Sequence, residues 1–459
     1  MKIAKIIPIY KAGEKSTISN YRPISVLSLF SKVFEKIMYN HLITFINAHN
    51  IMYKYQFGFR KQYSTNHAII SMVERIRNAL SSGKIMIGVF LDLKKAFDTV
   101  NHEILLKKLF AYGIRGNIHN WFKSYLTNRK QFVTLNEKKS DTKLISCGIP
   151  QGSVLGPLLF ILYINDMSKA SDILLPVLFA DDTSIFLEGD SPSDTMHIMN
   201  SELKKITTWL SANKLTLNIM KSHFVIFHRA RLKIENPKVF LGDTALDHVK
   251  FTKFLGVIID EKLNFINHIN YIKGKISRGL GILVKARKYL SKNVLVNLYN
   301  SYVFPYLIYC VEIWGNACST HFGPINQTKK KIIRIISFSP YKSHTDPLYK
   351  AMKILPFGKI VMHRIGMQMH KYHHNKLPDV ISVLFTEHKT KHRHNTRHKH
   401  NFRHPFGKQE YMYRNFSFIG IYVWNHINSK TNINLSLGYS TFKFKFKEYL
   451  LNNDIVLRM

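Results

Sequence analysis

The chain is 459 residues long, 46% hydrophobic and 13% aromatic, so it is neither a disordered nor a fibrous polymer and has material for roughly two to four packed domains. Lysine and arginine total 67 against 28 aspartates and glutamates; a net charge of +39 calls for a polyanionic partner, either nucleic acid or an anionic membrane surface. The longest apolar runs, such as VLGPLLFILYI at 154–164, fall short of the roughly 20 residues a bilayer span needs, so no membrane is expected and nucleic acid leads.

The N-terminus has no secretory apolar core, and the three cysteines, Cys147, Cys310 and Cys318, are too few for a disulfide framework or a Cys-rich zinc knuckle. A reducing, intracellular setting is expected, cytoplasm and nucleus. In chain order, residues 32–49 and 66–83 carry the spacing of amphipathic helices. KIMIGVFLDL at 84–93 reads as a fully apolar strand ending at an acid. The spacing of Phe97, Val100, Ile104, Leu105 and Leu109 predicts a helix from there to Gly113, with Asp98 as a capping group at its start. QFVTLN and KLISCG read as strands flanking a turn, and a Gly/Pro-rich loop leads into an apolar helix over 154–166. LLPVLFADDTSIFLEG at 174–189 reads as strand, tight turn, strand, with Asp181 and Asp182 at the tip.

From about 262 the character changes. No acid occurs between Lys262 and Val311, while Lys273, Lys275, Arg278, Lys285, Arg287 and Lys288 punctuate a helical pattern. The aromatic-rich segment 298–315 and the basic helix INQTKKKIIRIISF at 325–338 complete an all-helical basic module. The remainder, 341–459, contains HKTKHRHNTRHKHNFRH at 388–404, with six His and six Lys or Arg and no acid. That composition fits a solvated, nucleic-acid-facing linker; a metal site is the alternative, opposed by the neighbouring cations.

Two accounts compete for Asp181 and Asp182. Asp tolerates the backbone angles of a hairpin, so ordinary turn chemistry is one. The other draws in Asp92, whose carboxylate emerges where a buried strand meets a loop and there needs a cation, a donor or water, or serves as a helix N-cap. A strand-end Asp followed about ninety residues later by a hairpin-tip Asp-Asp is the arrangement of two-metal phosphoryl-transfer sites. Such sites take hard oxygen ligands from separate, rigid elements. Between them Gly148, Pro150, Gly152, Gly156 and Pro157 stiffen a loop whose backbone can approach a flat surface closely, or which merely enters a helix.

In order, NYRPISVLSLFSKVFEK (20–36), QFGFRKQYST (56–65), FLDLKKAFDTVNH (90–102), GIPQGSVLGPLLFILYIND (148–166), LFADDTSIF (178–186), LTLNIMKSHFVIF (215–227) and VKFTKFLGVIID (249–260) resemble the successive blocks of a reverse transcriptase. The particular resemblance is to the polymerase of jockey-like non-LTR retrotransposons. HINYIKGKISRGLGIL, YCVEIWG and FIGIYVWNHI resemble the segments downstream of the polymerase in those elements. The resemblance implies an α+β right-hand polymerase: fingers and palm over 1–260, a helical thumb over 261–340, and a basic, His-rich helical region over 341–459. It implies RNA-templated DNA synthesis from a primer 3′-hydroxyl, using deoxynucleoside triphosphates and two Mg2+ ions, with Mn2+ as the alternative.

The same resemblance assigns roles position by position. Asp92 and Asp181 match the catalytic metal-binding pair, and Asp182 the second acid of the dyad. Phe97 matches the aromatic gate that clashes with a 2′-hydroxyl, or is the first core residue of its helix. Gln151 and Gly152 match the loop contacting the nascent base pair. Arg60 and Lys61 match fingers residues that hold the triphosphate by charge-assisted bonds. Lys221 matches a lysine that protonates or steadies pyrophosphate, or is a surface lysine. Phe254, Leu255 and Gly256 match the hairpin gripping the primer end. Lys273, Lys275 and Arg278, on the basic module, would track duplex phosphates or form a solvated face.

The chain departs from the family in two ways. Phe179-Ala180 precedes the dyad where many relatives have Tyr-Ala, without prejudice to activity. The match also starts almost at Met1, with no counterpart of the upstream endonuclease, which leaves a truncated element copy, an incomplete gene model, or a polymerase using a nuclease in trans. A catalytically idle nucleic-acid-binding remnant and a group II intron or telomerase-type reverse transcriptase stand as alternatives; the thumb and tail motifs argue against the latter.

Overall fold

The strand Ile85–Leu91 is buried at every position, as an apolar run without polar alternation requires. It is central in a five-stranded sheet ordered Asp247–His248, His223–Phe227, Ile85–Leu91, Asp182–Gly189, Leu175–Phe179, and runs antiparallel to both neighbours. Gly88 sits mid-strand because a Cβ there would come within 2.8 Å of the Phe186 ring. The computed structural model describes residues 2–229, 232, 234–385, 402 and 410–453. The His-rich segment 388–404 lies, but for Phe402, outside the described residues.

Alternation along the central strand divides the molecule into two cores. Ile85, Ile87, Val89 and Leu91 face a core with Leu105, Phe122, Phe160 and Leu203, drawn from the helices His102–Ala111, Gly116–Leu126, Gly156–Tyr163 and Pro192–Ala212. Met86 and Phe90 face the other, with Ile69, Val73 and Ile76 of the helix Thr65–Ser81. This second core continues unbroken through Ile276 of Ile266–Ala286 and Trp314 into Ile365 and Trp424 of Phe357–His373 and Phe416–Lys430. Residues on both sides of position 340 therefore share one interior.

A second sheet, ordered Tyr21–Val26, Ile3–Tyr10, Lys130–Leu135, Lys138–Lys139, buries a small cluster of its own, Ala4, Ile6 and Leu27, and the hairpin Phe251–Phe254/Val257–Asp260 leads into the helices. Of KLISCG only Lys143–Leu144 is strand. Among the described residues no helix is long and apolar enough to cross a membrane.

Three local expectations are corrected. The helix expected from Phe97 starts at His102, because the Asn101 side chain accepts from Ile104 N at 3.0 Å and fixes the N-terminus there. Asp98 accordingly caps nothing; its carboxylate accepts from Gln151 Nε2 at 2.8 Å. Within the basic helix Gly323–Ile336, Lys329 turns inward, buried, and donates to the Leu355 carbonyl, leaving Lys330 and Lys331 as its exposed lysines.

Candidate active site

The ladder ends at Leu91↔Thr183, so the next residues, Asp92 and Asp182, emerge at the same end of the sheet, and Phe179↔Asp182 closes a two-residue turn of Ala180 and Asp181. Ala180 takes φ 55°, as such a turn demands of a central residue. The three carboxylates thus meet at one end of the sheet. The Asp182 acid is pushed up to about 6, first by partial burial and then by the like charges of Asp181 and Asp92. Among the described residues no group of three or more His, Cys, Asp or Glu is placed so that it could hold a metal ion as it stands. The donor chemistry nevertheless fits a hard divalent cation, which would offset the like charge gathered around Asp182.

Asp92 is held from the segment following helix Pro192–Ala212. Asn218 Nδ2 donates to Asp92 Oδ2 at 3.0 Å, Asn218 N donates to the Asp92 carbonyl at 2.7 Å, and Asp92 N donates to Ser222 Oγ at 3.2 Å. Sequence reasoning passed over Asn218; its only signal is a lone amide inside LTLNIMK.

The Asp181–Asp182 turn is backed by QFGFR. Phe57 N donates to the Leu178 carbonyl (2.8 Å) and Leu178 N to the Tyr55 carbonyl (3.0 Å), so this segment extends the sheet beside the hairpin. Buried Gln56 accepts at Oε1 from Gly58 N (2.9 Å) and Ala180 N (3.2 Å). Only glycine fits at 58, since a Cβ would lie 2.4 Å from Ala180 N. Arg60 donates to the carbonyls of Tyr53 (3.0 Å) and Gln56 (3.1 Å) and lies 4.0 Å over the Tyr63 ring, so it braces this turn from inside; Lys61 is exposed.

Phe97 is half-buried, stacked on Phe160 at 4.4 Å and met edge-on by Phe59 at 6.3 Å. Its carbonyl accepts from Ile149 N at 2.8 Å, which ties it to the Gly148–Gly156 loop. In that loop Gln151 bonds Asp98 through its side chain and accepts at its carbonyl from Ser25 N (2.7 Å). Burial pushes the Asp98 acid up, an effect the Gln151 bond partly offsets. Gly152, at φ 123°, approaches the Ser25 carbonyl so closely that a Cβ would stand 2.5 Å from it. Glu35, buried on helix Leu29–Ala48, accepts from Val154 N at 2.6 Å and so caps the start of Gly156–Tyr163 from another element. Nothing in the local pattern marked it, an acid between Phe34 and Lys36.

The remaining expected residues lie further out. Lys221 is exposed, one short turn beyond Asn218. Phe254 is buried with its ring 5.8 Å from Phe90, two residues before Asp92, while Leu255 and Gly256 form a turn with φ 44° and 87°. Lys273 and Arg278 are exposed on Ile266–Ala286, whereas Lys275 is half-buried, its Nζ 5.3 Å from the Tyr271 ring and 5.9 Å from that of Tyr306.

The family described as reverse transcriptase (RNA-dependent DNA polymerase) matches residues 9–259. The RNA-directed DNA polymerase from the mobile element jockey of Drosophila melanogaster is 31% identical over 78% of this chain and 40% of that protein. The probable RNA-directed DNA polymerase from transposon X-element, of the same organism, is 28% identical over 81% and 41%. The chain therefore spans about 40% of the length of these curated relatives. Apo telomerase from Candida tropicalis aligns with a TM-score of 0.45 and 14% identity, over 79% of this chain and 65% of that one.

Proposed function

Because the chain belongs to the reverse transcriptase family of RNA-dependent DNA polymerases, we propose that it copies an RNA template into DNA by extending a primer 3′-hydroxyl, as the polymerase region of a jockey-like non-LTR retrotransposon. One observation carries the reading: Asp92 at a strand end and Asp181 and Asp182 at a hairpin turn lie at one end of the central sheet, near enough that the first two oppose the ionisation of Asp182. Reverse transcriptases work with divalent metal ions. Carboxylate oxygens on rigid strands suit a pair of Mg2+ ions, with Mn2+ as the substitute. Such ions, when bound, would lower the pKa of the primer hydroxyl and offset charge on the leaving pyrophosphate.

Asp92 and Asp181 would hold them, with Asp182 the lesser ligand, and Asn218 keeps the Asp92 carboxylate turned toward the site. Phe97 would lie beneath the incoming sugar and exclude a 2′-hydroxyl. Gln151 and Gly152 would receive the nascent base pair. Lys61 would meet the triphosphate of a deoxynucleotide, joined by Arg60 on release from its carbonyls, and Lys221 the pyrophosphate. Phe254, Leu255 and Gly256 would seat the primer end.

On this reading residues 1–260 are fingers and palm, 261–340 a thumb whose Lys273, Lys275 and Arg278 follow the RNA–DNA duplex, and 341–459 a basic C-terminal region. The partners would be an RNA template and a DNA primer, met in the cytoplasm or nucleus.

Primer extension on RNA by the purified chain tests this. Asp92→Asn and Asp181→Asn should each abolish extension while affinity for primer–template stays within a few-fold, because a lost ligand charge affects the reaction and not backbone binding. Near wild-type extension by both variants would remove the assigned site. A wild type inert with Mg2+ and Mn2+ that still binds RNA tightly would make the chain a nucleic-acid-binding remnant.

A further inference from the structure

The Leu255–Gly256 turn requires positive φ at both positions, 44° and 87°, and leucine resists that region. The group that steadies it lies outside the hairpin. Tyr309 Oη donates to the Leu255 carbonyl at 2.5 Å, and the Tyr309 ring lies against Gly256, its Cε1 3.1 Å from where a Cβ would stand. Tyr309 is itself firmly placed. It ends Phe304–Ile308 at a kink before Val311–Trp314, where Cys310 takes φ 49°. Its carbonyl accepts from the indole of fully buried Trp314 at 2.9 Å. Its hydroxyl also neighbours Thr65, the first residue of the helix that begins at the end of QFGFRKQYST.

We infer that Tyr309 is a positioning residue for the reaction: from the helical module it sets where the Leu255–Gly256 turn, and with it the primer 3′ end, stands relative to the carboxylates. The inference rests on the reading of Phe254–Gly256 as the primer seat. A tyrosine whose backbone carbonyl is held by a buried tryptophan transmits the placement of the helices, through its hydroxyl, to a backbone carbonyl at the turn, and Gly256 leaves the room that contact needs. The Phe254 ring, packed on Phe90, then carries the placement to the strand that ends at Asp92.

Tyr309→Phe keeps the ring and deletes the bond. In steady-state extension by the full chain, its kcat should fall about five- to tenfold, the scale of one lost hydrogen bond. The KM for deoxynucleotide, the affinity for primer–template and the melting temperature should hold. Gly256→Ala, which pushes the ring away, should lower kcat likewise, and the double variant should fall short of the summed effects. A second readout needs no chemistry: primer carrying 2-aminopurine at its 3′ end, on RNA, saturated with protein. Its fluorescence should differ between Tyr309→Phe and wild type. Wild-type kcat in Tyr309→Phe, or a loss confined to melting temperature and affinity, would overturn the inference, as would identical 2-aminopurine signals. If wild type extends nothing, the polymerase reading fails, and the 2-aminopurine comparison alone decides the role of Tyr309.

Discussion

At the scale of single residues, function is set by what each side chain is pressed against. Phe97 is the clearest case: Phe160 stacks on it and Phe59 lies perpendicular to it, which leaves it half-buried beside the Gly148–Gly156 loop. If an incoming sugar is seated on it, a ring so fixed would not swing aside for a 2′-hydroxyl. Phe97→Val should therefore admit ribonucleotides while DNA synthesis persists, measured as the ratio of kcat/KM for the two nucleotide classes. Unchanged discrimination in a variant that still makes DNA would return Phe97 to the core. The positions of Asp92, Asp181 and Asp182 were legible in sequence because each stands inside a local pattern, a strand end or a hairpin tip, whereas Phe97 stood out only through the family resemblance. Glu35, Gln56 and Asn218 were not, since their bonds to Val154, Ala180 and Asp92 span 119, 124 and 126 residues and exist only once the sheet has formed.

At the scale of elements, periodicity located the long helices and the buried strand but misplaced a boundary. Phe97 and Val100 keep helical spacing with Leu105 and Leu109, yet the chain turns through 94–101 before Asn101 caps the helix, because Gln151 and Ile149 claim Asp98 and the Phe97 carbonyl. A tertiary contact overrode a local pattern. The basic helix Ile266–Ala286 shows the same limit for charge. Composition put Lys273, Lys275 and Arg278 on equal terms, whereas Lys275 rests on two tyrosine rings and the others stand in solvent. If this helix follows duplex phosphates, replacing all three by Gln should flatten the dependence of log K on log salt by about 2–3 units, one counterion per lost phosphate contact. Lys275→Gln alone should account for the smallest share. Products should shorten as the duplex escapes between additions. An unchanged salt slope and equal product lengths would detach this helix from the duplex and leave the carboxylate site untouched.

At the scale of the whole molecule, the C-terminal helices close back on the segment that leads into the central strand. The buried Glu74 of helix Thr65–Ser81 accepts from Ser417 N at 2.8 Å and from Ser417 Oγ at 2.9 Å, across 343 positions of chain. Asn415 Nδ2 donates to Asn78 Oδ1 at 2.8 Å, and Arg77 donates to the Arg414 carbonyl beside it. Burial pushes the Glu74 acid up, and the Ser417 bonds oppose that shift. Ser417→Ala removes a donor from a buried carboxyl and should destabilise the protein by roughly 1–3 kcal/mol in urea unfolding. The location of the loss matters more than its size. Ile69, Val73 and Ile76 share their core with Phe416, Ile419 and Trp424, so the amides of Thr65–Ser81 should lose hydrogen-exchange protection together with those of Phe416–Lys430. That helix supports the strand ending at Asp92 through Phe90 and Met86, so primer extension should fall with the exchange protection as temperature rises. If exchange quickens only within Phe416–Lys430, the C-terminal helices are an appendage, and the shared core does not couple them to the carboxylate end of the sheet.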